Sequence, residues 1–118
     1  MNPKSRKEEQ TMNINFNMTA KDIFNAKSSS KSVRDYVDVT LTATGCAVVD
    51  NTNEETGEVK SVGYIATSEG VFGFTSGVLM STMSELSDYM ESAGEPVEIQ
   101  FHENTSNAGK KFYTLEIK

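Results

Sequence analysis

The alternation of apolar and polar residues predicts a β-hairpin over residues 60–75. Two β-rich runs flank the loop Ser68-Glu69-Gly70, and a glycine at the third loop position is typical of a type I turn closed by a residue with positive φ. A three-residue loop sets Tyr64 opposite Phe74 on one face of the ribbon. Neither face is strongly polar. We therefore expect this hairpin to lie in the middle of a sheet or to offer one face to a ligand.

The longest strand pattern runs from Val33 to Val49. Its alternation breaks at Gly45, and a glycine inside a strand commonly marks a bulge or a sharp bend. We expect a strand that curves enough to serve two parts of a sheet. Two further alternating runs, residues 97–102 and 112–117, predict a final pair of strands.

An apolar stripe predicts an amphipathic helix after the hairpin. Its members recur at spacings of 4, 3 and 4 residues, which places them on one helix face. They are Leu79, Met83, Leu86 and Met90. The helix starts near Gly77 or near Thr82, and Gly94 is expected to end it.

The N-terminal region is predicted to be an extension of the fold. Residues 1–13 are polar and without periodicity, which indicates a flexible tail before a single domain of residues 14–118. Residues 13–18 alternate as a short strand. Thr19-Ala-Lys-Asp22 has the spacing of a capping box, so one or two helical turns should follow through Ala26.

The order of these elements predicts a mainly β architecture. Three strands, a helix and two strands follow the connectivity of a five-stranded OB-fold-like barrel, in which the helix closes one end. The short N-terminal strand and helix extend it. An open antiparallel sheet with the helix packed on one face has the same inventory and is the alternative.

Charge is divided unevenly along the chain. The net charge is −6, with +4 over residues 1–34 and −10 over residues 35–118. Bulk acidity argues against a protein that coats nucleic acid by charge alone. It leaves room for a local basic track made from the N-terminal arm and a few loop lysines. The simpler interpretation is a solubilising acidic surface with a basic tail.

Several function classes find little support. Cys46 is the only cysteine, which excludes an internal disulfide and fits a reducing compartment. No run approaches the roughly 18 apolar residues of a membrane span. His102 has no Cys, Asp or Glu at metal-ligand spacing, and no phosphate loop, nucleophile elbow or dinucleotide fingerprint occurs. We expect a cytoplasmic protein that is not an enzyme and uses no metal or cofactor.

Three stretches resemble a known family. They are Thr19-Ala-Lys-Asp-Ile-Phe-Asn-Ala26, Gly70-Val-Phe-Gly-Phe-Thr-Ser76 and Gly109-Lys-Lys-Phe-Tyr-Thr-Leu115. With the helix between them, their overall spacing is similar to that of phage single-stranded DNA-binding proteins, of the small type found in protein-primed Bacillus phages and their relatives. The resemblance implies an OB-like fold that coats displaced strands during phage DNA replication in the host cytoplasm.

Single-strand binding without sequence preference needs exposed rings that stack on bases and cations along a groove. In an OB barrel, the face of the second and third strands, framed by two loops, does this work. Lysines lie at the bases of both loops, Lys60 at one and Lys110 and Lys111 at the other. These three lysines are the predicted phosphate contacts.

Four rings are the predicted stacking residues: Tyr36, Tyr64, Phe74 and Phe112. Alternation turns Phe112 and Tyr36 away from the core. For Tyr64 and Phe74 two interpretations stay open, a place in the core or a place on the outer groove.

The sequence therefore predicts a single-stranded DNA-binding protein with no membrane partner. A homo-oligomer and contacts with replication proteins are left open. The alternative is a small acidic protein-binding module, such as an inhibitor of a host enzyme or a virion accessory protein.

Overall fold

The computed structural model describes the backbone of residues 8–118 and the side chains of residues 13–118. In chain order the elements are β1 (Glu8–Phe16), α1 (Ala20–Ser29), a 3-10 helix (Val33–Tyr36), β2 (Thr40–Asn53), β3 (Val59–Thr67), β4 (Gly70–Phe74), α2 (Gly77–Ala93), β5 (Val97–Thr105) and β6 (Lys111–Ile117). Of the predicted tail, residues 1–7 lie outside the described residues. The remainder of it, from Glu8, already belongs to β1, so the first strand is longer than predicted.

All six strands form one antiparallel sheet with β2 at its centre. The order is β4-β3-β2-β5-β6, and β1 also pairs with β2. The first residues of β2 pair with β5, and its later residues pair with β1 on the same edge. The register of β2 against β3 shifts between Ala43 and Gly45. The predicted long strand that serves two parts of a sheet is therefore present, but it begins at Thr40 and not at Val33, because residues 33–36 form the 3-10 helix.

The fold is mainly β, as predicted, and its sheet is antiparallel. The sheet is not closed into the predicted OB-fold-like barrel. Strands β4 and β6 are the edge strands at the two ends of this order, and among the described strands no ladder joins them. Part of the gap is spanned by residues 31–38, which we call the bridging segment. Its Lys31 pairs with Phe72 of β4, and its Val37 pairs with Phe101 of β5.

Helix α2 packs on one face of the sheet, which we call the inner face. The four residues of its predicted stripe are all at most 2% exposed: Leu79, Met83, Leu86 and Met90. They form the larger apolar core with inward-facing residues of the strands, including Phe72 and Phe101. The helix begins at Gly77. It ends at Gly94, whose φ of 70° lies in the left-handed region that favours glycine, as predicted.

Helix α1 covers the opposite, outer face. Its start is the predicted capping box: the Asp22 N–H donates to Thr19 Oγ1 at 3.1 Å, and the Thr19 N–H donates to Asp22 Oδ2 at 2.9 Å. Ile23 and Ala26 are buried in a second apolar cluster that includes Tyr64 of β3. Both faces of the sheet's centre are therefore covered.

The central hairpin differs by one residue from the predicted register. Thr67 pairs with Gly70, so the loop has two residues rather than three. Tyr64 consequently pairs with Gly73 and not with Phe74. A slip of one residue turns side chains to the other face of a strand. Tyr64 therefore lies on the outer face and Phe74 on the inner face, and they are not cross-strand neighbours.

Candidate functional site

Tyr64 is a core residue. Its side chain is 5% exposed and packs with Ile23 and Ala26 of α1, and this burial raises the pKa of its hydroxyl. Of the two interpretations of Tyr64, the structure agrees with the place in the core. No base can stack on this ring while α1 stays in position.

The three predicted lysines are exposed, but they lie at opposite ends of the sheet. Lys60 pairs with Asn51 near the end of β2. Strand β5 pairs with the first residues of β2 and continues past them into its hairpin with β6, which carries Lys110 and Lys111. The structure therefore does not join the two groups into one cationic patch.

Phe112 and Lys111 are sequence neighbours that lie on opposite faces of β6, because side chains alternate along a strand. Phe112 is half-buried and pairs with Asn104 of β5. Lys111 shares a face with Tyr113, which packs against the inner core. Lys111 is therefore placed beside a different ring from the one predicted.

Tyr36 is half-buried in the 3-10 helix. Its ring meets Phe72 edge-on, with the centroids 4.9 Å apart. The ammonium nitrogen of Lys31 lies 5.7 Å from the centroid of the Tyr36 ring, within the range of a cation–π contact. Tyr36 thus holds the bridging segment against β4 and does not stand free in a groove.

A cleft between the two edge strands brings two rings and a guanidinium together. Its volume is about 290 Å³, and it is lined by Phe74 of β4, Tyr113 of β6 and Arg34 of the bridging segment. Of these residues the sequence predicted only Phe74. Tyr113 follows the alternation of a core strand and Arg34 sits in a region assigned to a strand, so no local signal distinguished them.

The position of Phe74 in the cleft depends on Gly63. Phe74 pairs with Gly63 across the ladder. A Cβ atom at position 63 would lie 2.5 Å from Phe74 Cε1 and 2.9 Å from Met80 Sδ. The ring therefore lies directly over the glycine, beside the first turn of α2, where any larger residue at position 63 would displace it.

The first turn of α2 adds a second electropositive group to the cleft. Ser76, the N-cap residue, lines the cleft and makes no side-chain hydrogen bond to the helix. The first turn carries no acidic residue. The first amide N–H groups of a helix have no partner within the helix, and they carry the positive end of its dipole. Together with Arg34, they make this end of the cleft favourable for an anion.

His102 lies between two carboxylates, on the face of β5 opposite to that of the buried Phe101. Its Nδ1 is 2.8 Å from Asp38 Oδ1, and its Nε2 is 2.7 Å from Glu116 Oε1. Only an imidazolium donates from both nitrogens at once. The bonds to Glu116 and then to Asp38 raise the pKa of His102. Spacing along the chain did not predict this pairing, because only the fold brings Asp38 beside His102.

Metal-binding residues do not cluster in the part of the chain that the structure describes. Within it, no three His, Cys, Asp or Glu side chains are placed to hold a common ion. Both ring nitrogens of His102 are already occupied by carboxylates. None of the helices between residues 8 and 118 combines the length and the apolar character needed to cross a bilayer.

Comparison with known proteins gives no relative. A scan against protein-family models, a search of the curated proteins and a search of the solved structures each return no match to this chain. The case for a function therefore rests on the residues of the cleft.

Proposed function

We propose that the chain binds single-stranded nucleic acid, with DNA as the expected partner, in the cleft between β4 and β6. One observation carries the proposal: two aromatic rings, Phe74 and Tyr113, line the same cleft as Arg34 and the uncapped start of α2. This combines stacking surfaces with groups that favour a phosphate.

The two rings favour a single strand over a duplex. Stacking of a base on an aromatic side chain contributes about 1–3 kcal/mol per base and tolerates any base. A duplex hides the faces of its bases inside the helix, whereas a single strand offers them. Phe74 and Tyr113 are each half-buried, so packing holds each ring while part of it faces the cleft.

The cations near the rings suit the backbone of such a strand. The planar guanidinium of Arg34 can donate two parallel hydrogen bonds to one phosphate, and the α2 amides can hold another anionic group. Lys111 lies on the Tyr113 face of β6, two residues away, which is about 7 Å along a strand. It extends the cationic surface from the cleft toward the β5–β6 hairpin.

The topology supports a relation to OB folds. Strands β2 to β6, with α2 between β4 and β5, follow the predicted order, and β2 bends to pair with both β3 and β5. Together with the resemblance to phage proteins, this order favours the predicted role of coating displaced strands during phage DNA replication.

The test is a titration of the full chain with oligo(dT), monitored by tyrosine fluorescence at about 50 and 200 mM salt. We expect binding that weakens steeply with salt, and weaker binding to a duplex of equal length. Arg34→Gln should lower the affinity and reduce the salt slope by about 0.7, the value for one phosphate on a single strand. Lys118→Gln, which removes a cation that pairs with Glu116 away from the cleft, is the charge-matched control.

Two results would overturn the proposal. One is the absence of binding at the lower salt concentration with micromolar oligonucleotide, which would favour the protein-binding alternative. The other is an affinity and a salt slope that Arg34→Gln leaves unchanged, which would place the site elsewhere.

A further inference from the structure

A third ring is exposed outside the cleft, on α1. Phe24 is 74% exposed, whereas the other exposed large apolar side chains among residues 13–118 range from 40% to 53%. Its neighbour Ile23 is 2% exposed and packs on the sheet. Phe24 therefore lies on the side of α1 that faces away from the protein.

Two lysines flank Phe24 on this side of the helix. Lys21 and Lys27 are three residues before and after it, a spacing that makes side chains neighbours on a helix surface, with Cβ atoms about 5–6 Å apart. Within residues 13–118, neither lysine forms an ion pair with a carboxylate. Asp22, the one acid of α1, is held at the helix start by its bonds with Thr19.

Two further cations follow α1 in the sequence and lead to the cleft. Lys31 follows the end of α1, and its ammonium group lies 5.7 Å from the centre of the Tyr36 ring. Arg34, three residues further on, lines the cleft. Residues 35–118 carry a net charge of −10, so these four cations, which all precede residue 35, favour a polyanion more than the acidic remainder of the domain does.

We propose that the outward side of α1, formed by Lys21, Phe24 and Lys27, is a second contact surface for the single strand that enters the cleft. Phe24 stacks on one base, and the two lysines contact the phosphates on either side of it. This inference rests on the proposed function and adds a surface that the cleft does not include. A ring between two ammonium groups matches a base between two phosphates, which is why a single strand is chosen over a protein partner.

The absence of tryptophan from the chain allows a direct test. Phe24→Trp places one fluorophore on the proposed surface, and its emission should be quenched as oligo(dT) is added to the full chain. Tyr89→Trp is the matched control, because Tyr89 is 48% exposed but lies on α2. We expect its emission to stay constant through the same titration.

Affinity provides a second readout. Phe24→Ala should weaken binding of a labelled oligo(dT) by roughly 5- to 150-fold, the equivalent of one stacked base, and F24W should restore it. Lys21→Gln and Lys27→Gln should each reduce the salt slope by about 0.7. All three side chains are exposed, so these substitutions should leave the fold intact and the lower affinity should reflect lost contacts with the strand.

The outcomes separate this inference from the proposed function. Unquenched emission of F24W at saturation, with an affinity that still depends on Arg34, overturns the second surface and leaves the cleft. No binding by any variant overturns both. A dimer that F24A converts to a monomer, measured by light scattering without nucleic acid, assigns Phe24 to self-association and overturns the inference.

Discussion

The rings of Phe72 and Phe101 lie 5.6 Å apart between centroids, although β3 and β2 separate their strands in the sheet. Strands three places apart in a flat sheet are roughly 14 Å from each other. The sheet is therefore strongly curled around its inner face. This curl carries the edge strands β4 and β6 toward each other, so that Phe74 and Tyr113 line one cleft.

The first prediction concerns this aromatic contact. Phe101 is fully buried, so Phe101→Ala should lower the free energy of unfolding by about 3–5 kcal/mol, through lost transfer energy and a cavity. Urea denaturation followed by circular dichroism measures it. Phe24→Ala, which truncates the same side chain on the surface, should change stability by no more than about 0.5 kcal/mol. Equal effects of the two substitutions would argue against the curled core.

The second prediction concerns the glycine beneath Phe74. Gly63→Ala should lower the free energy of unfolding by about 1–3 kcal/mol, because its Cβ would overlap Phe74 and Met80. It should also weaken oligonucleotide binding by displacing the Phe74 ring.

Gly77→Ala is the control for that substitution. Nothing lies within 4 Å of a Cβ at this position, and alanine favours a helix over glycine by up to about 1 kcal/mol. We expect a neutral or stabilising effect in the same denaturation experiment. A destabilisation as large as that of Gly63→Ala would show that crowding is not the cause.

The third prediction is a pH dependence centred on His102. Hydrogen bonds to Glu116 and Asp38 raise the pKa of His102 in the folded state. The stability they contribute is therefore fully present below the unfolded pKa of about 6.5 and is lost as the pH rises through the folded pKa. The pKa of Glu116 is lowered, first by its bond to His102. The stability that this carboxylate contributes is therefore fully present above its unfolded pKa of about 4.5 and is lost as the pH falls through its folded pKa.

Proton NMR can follow this titration without ambiguity, because the chain contains one histidine. We expect a pKa above that of an unstructured peptide, and Asp38→Asn or Glu116→Gln should each bring it down. Melting temperatures of His102→Gln should lack the decline that the unmodified chain shows above neutral pH. An unshifted titration would contradict the double hydrogen bond.

The fourth prediction concerns the thiol of Cys46. The residue is 0% exposed, and burial raises its pKa to about 11. Because the thiolate is the reactive form, the folded chain should react with an aromatic disulfide reagent at pH 8 far more slowly than the chain in urea. Rapid labelling of the folded chain would indicate frequent opening of the sheet around β2.

Local patterns in the sequence were enough for the parts of the fold that depend on neighbouring residues. The stripe from Leu79 to Met90 defines α2 because helical spacing alone puts those residues on one face. The Thr19–Asp22 capping box and the glycine at position 94 are likewise set within one helical turn.

The hairpin register depends on a side-chain interaction that spacing does not reveal. Thr67 Oγ1 accepts a hydrogen bond from the Glu69 N–H at 3.1 Å and donates one to the Gly70 carbonyl at 2.8 Å. These bonds accompany the two-residue loop, and the resulting shift separates Tyr64 from Phe74.

The position of helix α1 and the residues of the cleft depend on contacts between parts of the chain that are far apart in the sequence. Only Ile23 and Ala26 of α1 are buried, too few to indicate which surface the helix covers. Arg34 and Tyr113 are far apart in sequence and line one cleft only because the sheet curls and the bridging segment crosses its gap. Periodicity describes one element at a time, so it does not predict how distant elements pack together.

We expect the bridging segment to complete the cleft late in folding. Lys31 can dock only on a formed β4, and Asp38, whose N–H donates to the Phe101 carbonyl at 2.8 Å, only on a formed β5. Both contacts close long loops, whose entropic cost has to be met before the contacts stabilise anything. A ligand in the cleft would therefore bind only the fully folded chain and shift the folding equilibrium toward it by mass action. Ligand binding and docking of the bridging segment would then stabilise each other.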